Sequence, residues 1–87
     1  MSKVIFTETG FKQYLEWQSI DRKIVKKIND LIKSIERDGL LKGIGKPETL
    51  KNKKSCSRKI DEYNRLVYNE DSNHDIIIYS CKGHYEE

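Results

Sequence analysis

The sequence predicts an α+β fold, a small and mainly antiparallel sheet with two N-terminal helices packed on one face. Three observations predict it. An apolar stripe of helical period runs from Ile20 to Ile35. Three segments rich in β-branched and aromatic residues occupy the second half of the chain. The stretches between those segments are short and rich in Asp, Asn and Ser, so neighbouring strands are joined by hairpins.

Each element can be justified in order. Lys3–Phe6 reads as a short strand through Val4, Ile5 and Phe6. Thr7 or Thr9 can cap the helix that follows, where Phe11, Tyr14 and Leu15 fall at helical spacing and Trp17 borders that face. Ser19 can cap a second helix. Its apolar positions Ile20, Ile24, Ile28, Leu31 and Ile35 step by 4, 4, 3 and 4, and Val25 and Ile32 widen the stripe. The stripe reads as core, with a partner-binding amphipathic helix as the alternative. Gly39 stops the helix. Residues 39–47 hold three glycines and the only proline and read as a surface loop, without the pattern of a phosphate-binding loop. Ser55–Ile60, Arg65–Asn69 and Ile76–Cys81 read as strands, with turns at Asp61–Asn64 and Glu70–Asp75. The order is β-α-α-β-β-β, and the sheet face away from the helices is left for solvent or substrate. Regular alternation along the last strand puts Ile76, Ile78, Ser80, Lys82 and His84 on one side, and Ile77, Tyr79, Cys81, Gly83 and Tyr85 on the other.

The 87 residues make a single domain, 1–87, with no room for a second core. Hydrophobic and charged residues each make up 36%, polar enough to raise the question of disorder. The strong periodicity, the single Pro and the aromatics argue against it. No apolar run approaches a membrane span, and the N-terminus lacks the apolar stretch of a signal peptide. Cys56 and Cys81 do not make a disulfide framework, so a cytoplasmic protein with reduced thiols is expected.

The net charge of +3 is unevenly spread. Residues 42–59 carry seven basic groups against Glu48 alone, whereas residues 60–87 carry two basic and seven acidic groups. A local excess of +6 over 18 residues is the footprint of a polyanion-binding face or, read more plainly, a solvated charged loop. Glu48, between Lys46 and Lys51, suits a carboxylate held charged as a base or as a salt-bridge partner. Arg65 and His84 sit near strand ends, where polar residues can escape the core. Cys56, His74, Cys81 and His84 lack the spacing of a metal site, and no nucleophile motif is present. A base, an acid and a guanidinium on a basic face fit one metal-free chemistry, RNA cleavage by its own 2′-hydroxyl. The residues alone leave that reading open beside an exposed terminal His84 and a structural ion pair at Glu48.

The segments IVKKINDLIKSI, GIGKPETLK, SRKI, NRLVY and SCKGHY together resemble the YoeB/Txe toxins of type II toxin–antitoxin systems, within the RelE-like superfamily. The resemblance covers nearly the whole chain in matching order, and it implies a RelE-like, microbial-RNase-like fold. It further implies a ribosome-dependent endoribonuclease (an mRNA interferase) that cuts mRNA in the 30S A site against 16S rRNA. Glu48 then corresponds to the general base, Arg65 to the phosphate-stabilising group, His84 to the general acid, and Tyr85 to the residue beside the scissile phosphate. Lys46, Lys51, Arg58 and Lys59 would hold RNA. No cofactor or metal is implied. The implied partners are a YefM-like antitoxin and a second copy of the chain, with operator DNA reached only through the antitoxin complex. Two rivals are a catalytically weak RNA- or ribosome-binding module and an antitoxin-bound co-repressor.

Three departures from the family pattern stand out. The connection LKNKKSCSRKI is about two residues shorter than usual, with Cys56 where an aromatic is customary. Lys59 replaces an Arg and keeps its charge without the bidentate fork. Glu86 and Glu87 extend beyond the usual terminal HY.

Overall fold

A computed structural model describes residues 3–51 and 55–84. The elements are β1 (Val4–Phe6), α1 (Glu8–Ile20), α2 (Arg22–Asp38), β2 (Glu48–Thr49), β3 (Cys56–Lys59), β4 (Arg65–Glu70) and β5 (Ile76–Ser80). The sheet order is β1-β5-β4-β3-β2. β1 lies parallel to β5, and every other pair is antiparallel. The expected α+β architecture is present, with one addition: the two-residue strand β2 forms inside the stretch between α2 and β3. Buried Leu50 directly follows it and donates its N–H to the Ser55 carbonyl at 2.9 Å. So short a strand carries no alternation of its own, which is why the sequence does not announce it.

The helices differ from expectation at their junction. Thr7 caps α1, its hydroxyl accepting from the Gly10 N–H at 3.0 Å. Ser19 is not the second cap. α1 runs through it to Ile20, and Asp21 serves both as the C-cap of α1 and as the N-cap of α2, accepting from the Lys23 N–H at 2.9 Å. A carboxylate at this position meets the free N–H groups and positive dipole end of α2 better than a hydroxyl two residues earlier. Ile20 therefore leaves the α2 stripe and is exposed. Ile28, Leu31, Ile32 and Ile35 carry the buried face of α2, and Gly39, at φ 102°, ends it in a conformation that favours glycine.

On α1 the expected face is rotated. Trp17 is the buried aromatic, whereas Phe11 is 51% and Leu15 46% exposed. The indole Nε1–H donates to the Cys81 carbonyl at 2.8 Å, so the ring can enter the core with its polar atom satisfied. The core joins these helical residues to Leu66, Tyr68, Ile76, Ile78 and Cys81 of the sheet's inner face. No helix among the described residues is long and apolar enough to cross a membrane.

Gly10 lets α1 approach β5 closely. A Cβ there would stand 2.6 Å from the Ile78 carbonyl oxygen. In an open helix Gly→Ala gains about 1 kcal/mol. Here the methyl meets backbone that cannot yield, so Gly10→Ala is expected to destabilise by about 1–3 kcal/mol. A urea midpoint equal to or above wild type would contradict this packing.

Candidate functional site

The open sheet face is built by pairing register. Glu48 stands opposite Ser57, Ser57 opposite Val67, and Lys59 opposite Arg65. Side chains on directly paired residues share a face, so Glu48, Ser57, Lys59, Arg65 and Val67 lie on the side away from the helices. β2 thus lifts Glu48 onto the sheet. Its carboxylate Oε2 is 3.9 Å from Nη1 of Arg65, which also donates to the Ser57 hydroxyl at 3.4 Å. The two groups are differently exposed, with 56% of the Glu48 side chain and 23% of the Arg65 side chain accessible. The guanidinium is seated against the sheet, and the carboxylate is the more exposed of the two.

The segment that carries His84 reaches the same end of the sheet. The Arg65 N–H donates to the Gly83 carbonyl at 3.0 Å, and the Gly83 N–H donates to Oδ1 of Asn64 at 2.8 Å. Residue 84 therefore follows a peptide fixed to Arg65's own backbone, and His84 is exposed there. The regular alternation expected along the last strand does not hold. Tyr68 pairs with Ile78 while Val67 pairs with Ser80, so Tyr79 is an extra residue in β5. This bulge reverses the parity. Ile76 and Ile78 face the core, Ser80 shares the open face with Val67, and Cys81 returns to the core. A bulge of this kind is invisible to a period-two reading.

The structure separates the four basic residues expected to hold RNA. Lys46 and Lys51 are exposed, and Lys59 is half-buried on the open face. Arg58 is not on that face. It points the other way and has no accessible surface at all. Its Nε donates to the Tyr68 hydroxyl at 3.0 Å. Nη1 donates to Ser34 Oγ at 2.9 Å and the Ile44 carbonyl at 2.8 Å, and Nη2 to the Gly39 and Lys42 carbonyls at 2.8 and 2.6 Å. All five N–H donors of the guanidinium are used. Arg58 thus has none left for a phosphate, and its expected RNA contact is replaced by an internal role: it fixes the 39–44 loop that leads through Pro47 to Glu48. Tyr85, with Glu86 and Glu87, lies outside the described residues, as does most of the shortened connection before β3. Cys56 is buried in the core.

Sequence reasoning also missed Ser57, Asn64 and Gln13. Ser57 alternates with Lys59 and was open to detection by that signal; the roles of Asn64 and Gln13 depend on long-range contacts that no local pattern encodes.

Burial pushes the Cys81 thiol up to about 11, with the nearby Glu16 carboxylate adding to the effect. Burial also raises Cys56, against the opposing pull of Arg58, and raises Tyr68 against its hydrogen bond from Arg58. In each case the folded state holds the proton more tightly than the unfolded chain. For Cys81 the associated stability is complete below the ordinary thiol value near 9 and is lost as pH rises toward 11. Thermal midpoints should therefore fall as pH rises from 9.0 to about 11, the window those values set, and less steeply in Cys81→Ala. A midpoint flat over that range would contradict it.

The family model of the YoeB-like toxin of bacterial type II toxin–antitoxin systems matches residues 6–85. A toxin YoeB from Synechocystis sp. is 46% identical over 86 residues, covering 97% of this chain and 98% of that protein. The structure of the YoeB dimer from Staphylococcus aureus superposes with a TM-score of 0.90 at 48% identity, covering 97% of this chain and 98% of that one. A chain of the heterotetrameric YoeB–YefM toxin–antitoxin complex from the same organism superposes with a TM-score of 0.88 at 48% identity, covering 98% and 99%.

Proposed function

Because this chain belongs to the YoeB-like toxins of bacterial type II toxin–antitoxin systems, we propose that it is a ribosome-dependent endoribonuclease that cuts mRNA in the A site. The observation that carries the reading is the meeting of three chain segments at one end of the open face. Glu48 lies 3.9 Å from Arg65, and Arg65's amide holds the peptide that precedes His84.

The chemistry follows from the residue types. Glu48 accepts the proton of the ribose 2′-hydroxyl. The freed oxygen forms a bond to phosphorus, and the bond from phosphorus to the 5′-oxygen breaks. Arg65 neutralises the charge that gathers on the non-bridging oxygens. His84 gives its proton to the departing 5′-oxygen. The products are a 2′,3′-cyclic phosphate and a 5′-hydroxyl. When no RNA is bound, the Arg65 guanidinium serves as the counter-charge of Glu48, and an arriving phosphate competes for it and releases the carboxylate. Lys46, Lys51 and Lys59 supply cations along the backbone path.

The Staphylococcus aureus YoeB is described as a dimer and in complex with YefM. The same partners are proposed here, a second copy and a YefM-like antitoxin, acting in the cytoplasm and meeting operator DNA only through the antitoxin complex. End-group mapping on programmed ribosomes tests the activity. A cyclic phosphate and a 5′-hydroxyl at A-site codons are expected. Tight ribosome binding without any cut would replace the proposal with an RNA-binding module.

A further inference from the structure

The backbone between the last strand and His84 is held from two sides by groups that the cleavage chemistry itself does not use. On the helix side, Oε1 of Gln13 accepts from both the Cys81 and Lys82 N–H groups, at 2.7 and 3.1 Å. Trp17, one turn further along α1, donates to the Cys81 carbonyl. The Lys82 ammonium lies 3.4 Å from Glu16 and 5.7 Å from the centre of the Trp17 ring. On the sheet side, Oδ1 of Asn64 accepts from Gly83. Asn64 is itself fixed, its Nδ2 donating to the Asp61 carboxylate at 3.1 and 3.2 Å. Gly83, at φ 91°, lets the chain turn between these two anchors.

We infer that Gln13 and Asn64 are positioning residues for His84, holding residues 81–83 so that the imidazole is presented to the leaving oxygen beside Arg65 and Glu48. The inference rests on the reading of His84 as the acid. The geometry favours this role over plain strand-end satisfaction. Water can satisfy exposed amides at a strand end, yet here one side-chain oxygen takes two of them and a second side chain takes the next. Rigid placement matters most for a proton donor, since a misplacement of about 1 Å can cost on the order of 10²-fold in rate.

The test uses the full chain on ribosomes programmed with two mRNAs, one natural and one carrying a bridging 5′-sulfur at the scissile bond. A free thiol ionises at about pH 8.5, so a thiolate departs without a donated proton. Gln13→Met is close in shape but replaces the amide oxygen with a weakly accepting thioether, and Asn64→Leu removes the other anchor. Each is expected to lower cleavage of the oxygen substrate by about 10–100-fold with little change in KM. Each should regain most of the loss on the sulfur substrate. Gln13→Glu keeps the acceptor and should stay near wild type. Equal losses on both substrates, or no loss in either variant, would overturn the inference. If Gln13→Met does not fold, Asn64→Leu carries the same comparison. His84→Gln is the control: if the sulfur substrate does not rescue it, the reading of His84 as the acid is what fails.

Discussion

Arg58→Met should be the most destabilising single substitution of a charged residue in this protein. The side chain is fully buried and satisfies five acceptors, three of them main-chain carbonyls of the loop after α2. Methionine fills part of the volume but leaves those carbonyls facing apolar side chains. The charge of Arg58 is also compensated indirectly. Ser34 Oγ accepts from Arg58 and donates to Asp38 at 2.9 Å, so a hydroxyl links the guanidinium to a carboxylate. Breaking such a buried network costs about 3–5 kcal/mol. For a domain this small, each kcal/mol lowers Tm by about 4–8 °C. Calorimetry should show a fall of at least about 12 °C. Arg58→Lys should recover only part of it, because three donors on one nitrogen cannot reach five acceptors spread around a plane. A drop of only a few degrees in Arg58→Met would contradict this account.

The second large effect is kinetic. Glu48→Gln and His84→Gln should each reduce cleavage by about 10²–10⁴-fold, the usual contribution of one general acid or base. Both residues are exposed, so the fold should persist, with Tm near wild type and ribosome binding retained. The double variant should fall by less than the product of the two losses, since base and acid act in one concerted transfer. Wild-type cleavage in either single variant would remove that residue from the mechanism. Loss of binding in parallel with loss of cleavage would place the residue in recognition instead.

Much of the fold was legible because it rests on periodicity. The α2 stripe, the Gly39 stop and the three C-terminal strands follow from side-chain spacing alone. What was not legible came from contacts between distant parts of the chain. Trp17 displaces Phe11 and Leu15 from the core because the Cys81 carbonyl, 64 positions away, accepts its indole proton. The bulge at Tyr79 exists only against β4. Arg58 is the instructive case. Strand alternation groups it with Cys56 and Ile60, both apolar and both buried, so period two alone would have turned it inward. Counting charge along the segment hid this, because a sum over residues has no direction. Glu48 stands out as the lone carboxylate of a basic stretch and Arg65 by its place at a strand end, and family likeness pairs them, but their approach depends on β2, which two residues of sequence cannot declare.

The parallel pairing of β1 with β5 sets a condition on when the protein can exist as a folded object. Among the described residues, Val4, Ile5 and Phe6 find their strand partners in Ile76, Ile77 and Ile78, and β5 is also what joins β1 to the rest of the sheet. Contacts of such long sequence separation form late. During synthesis, α2 can coil as it emerges, but the sheet has no place for its first strand until the C-terminal one is free of the exit tunnel. Until β5 has been made and has left the tunnel, β1 therefore stays unpaired and the sheet incomplete.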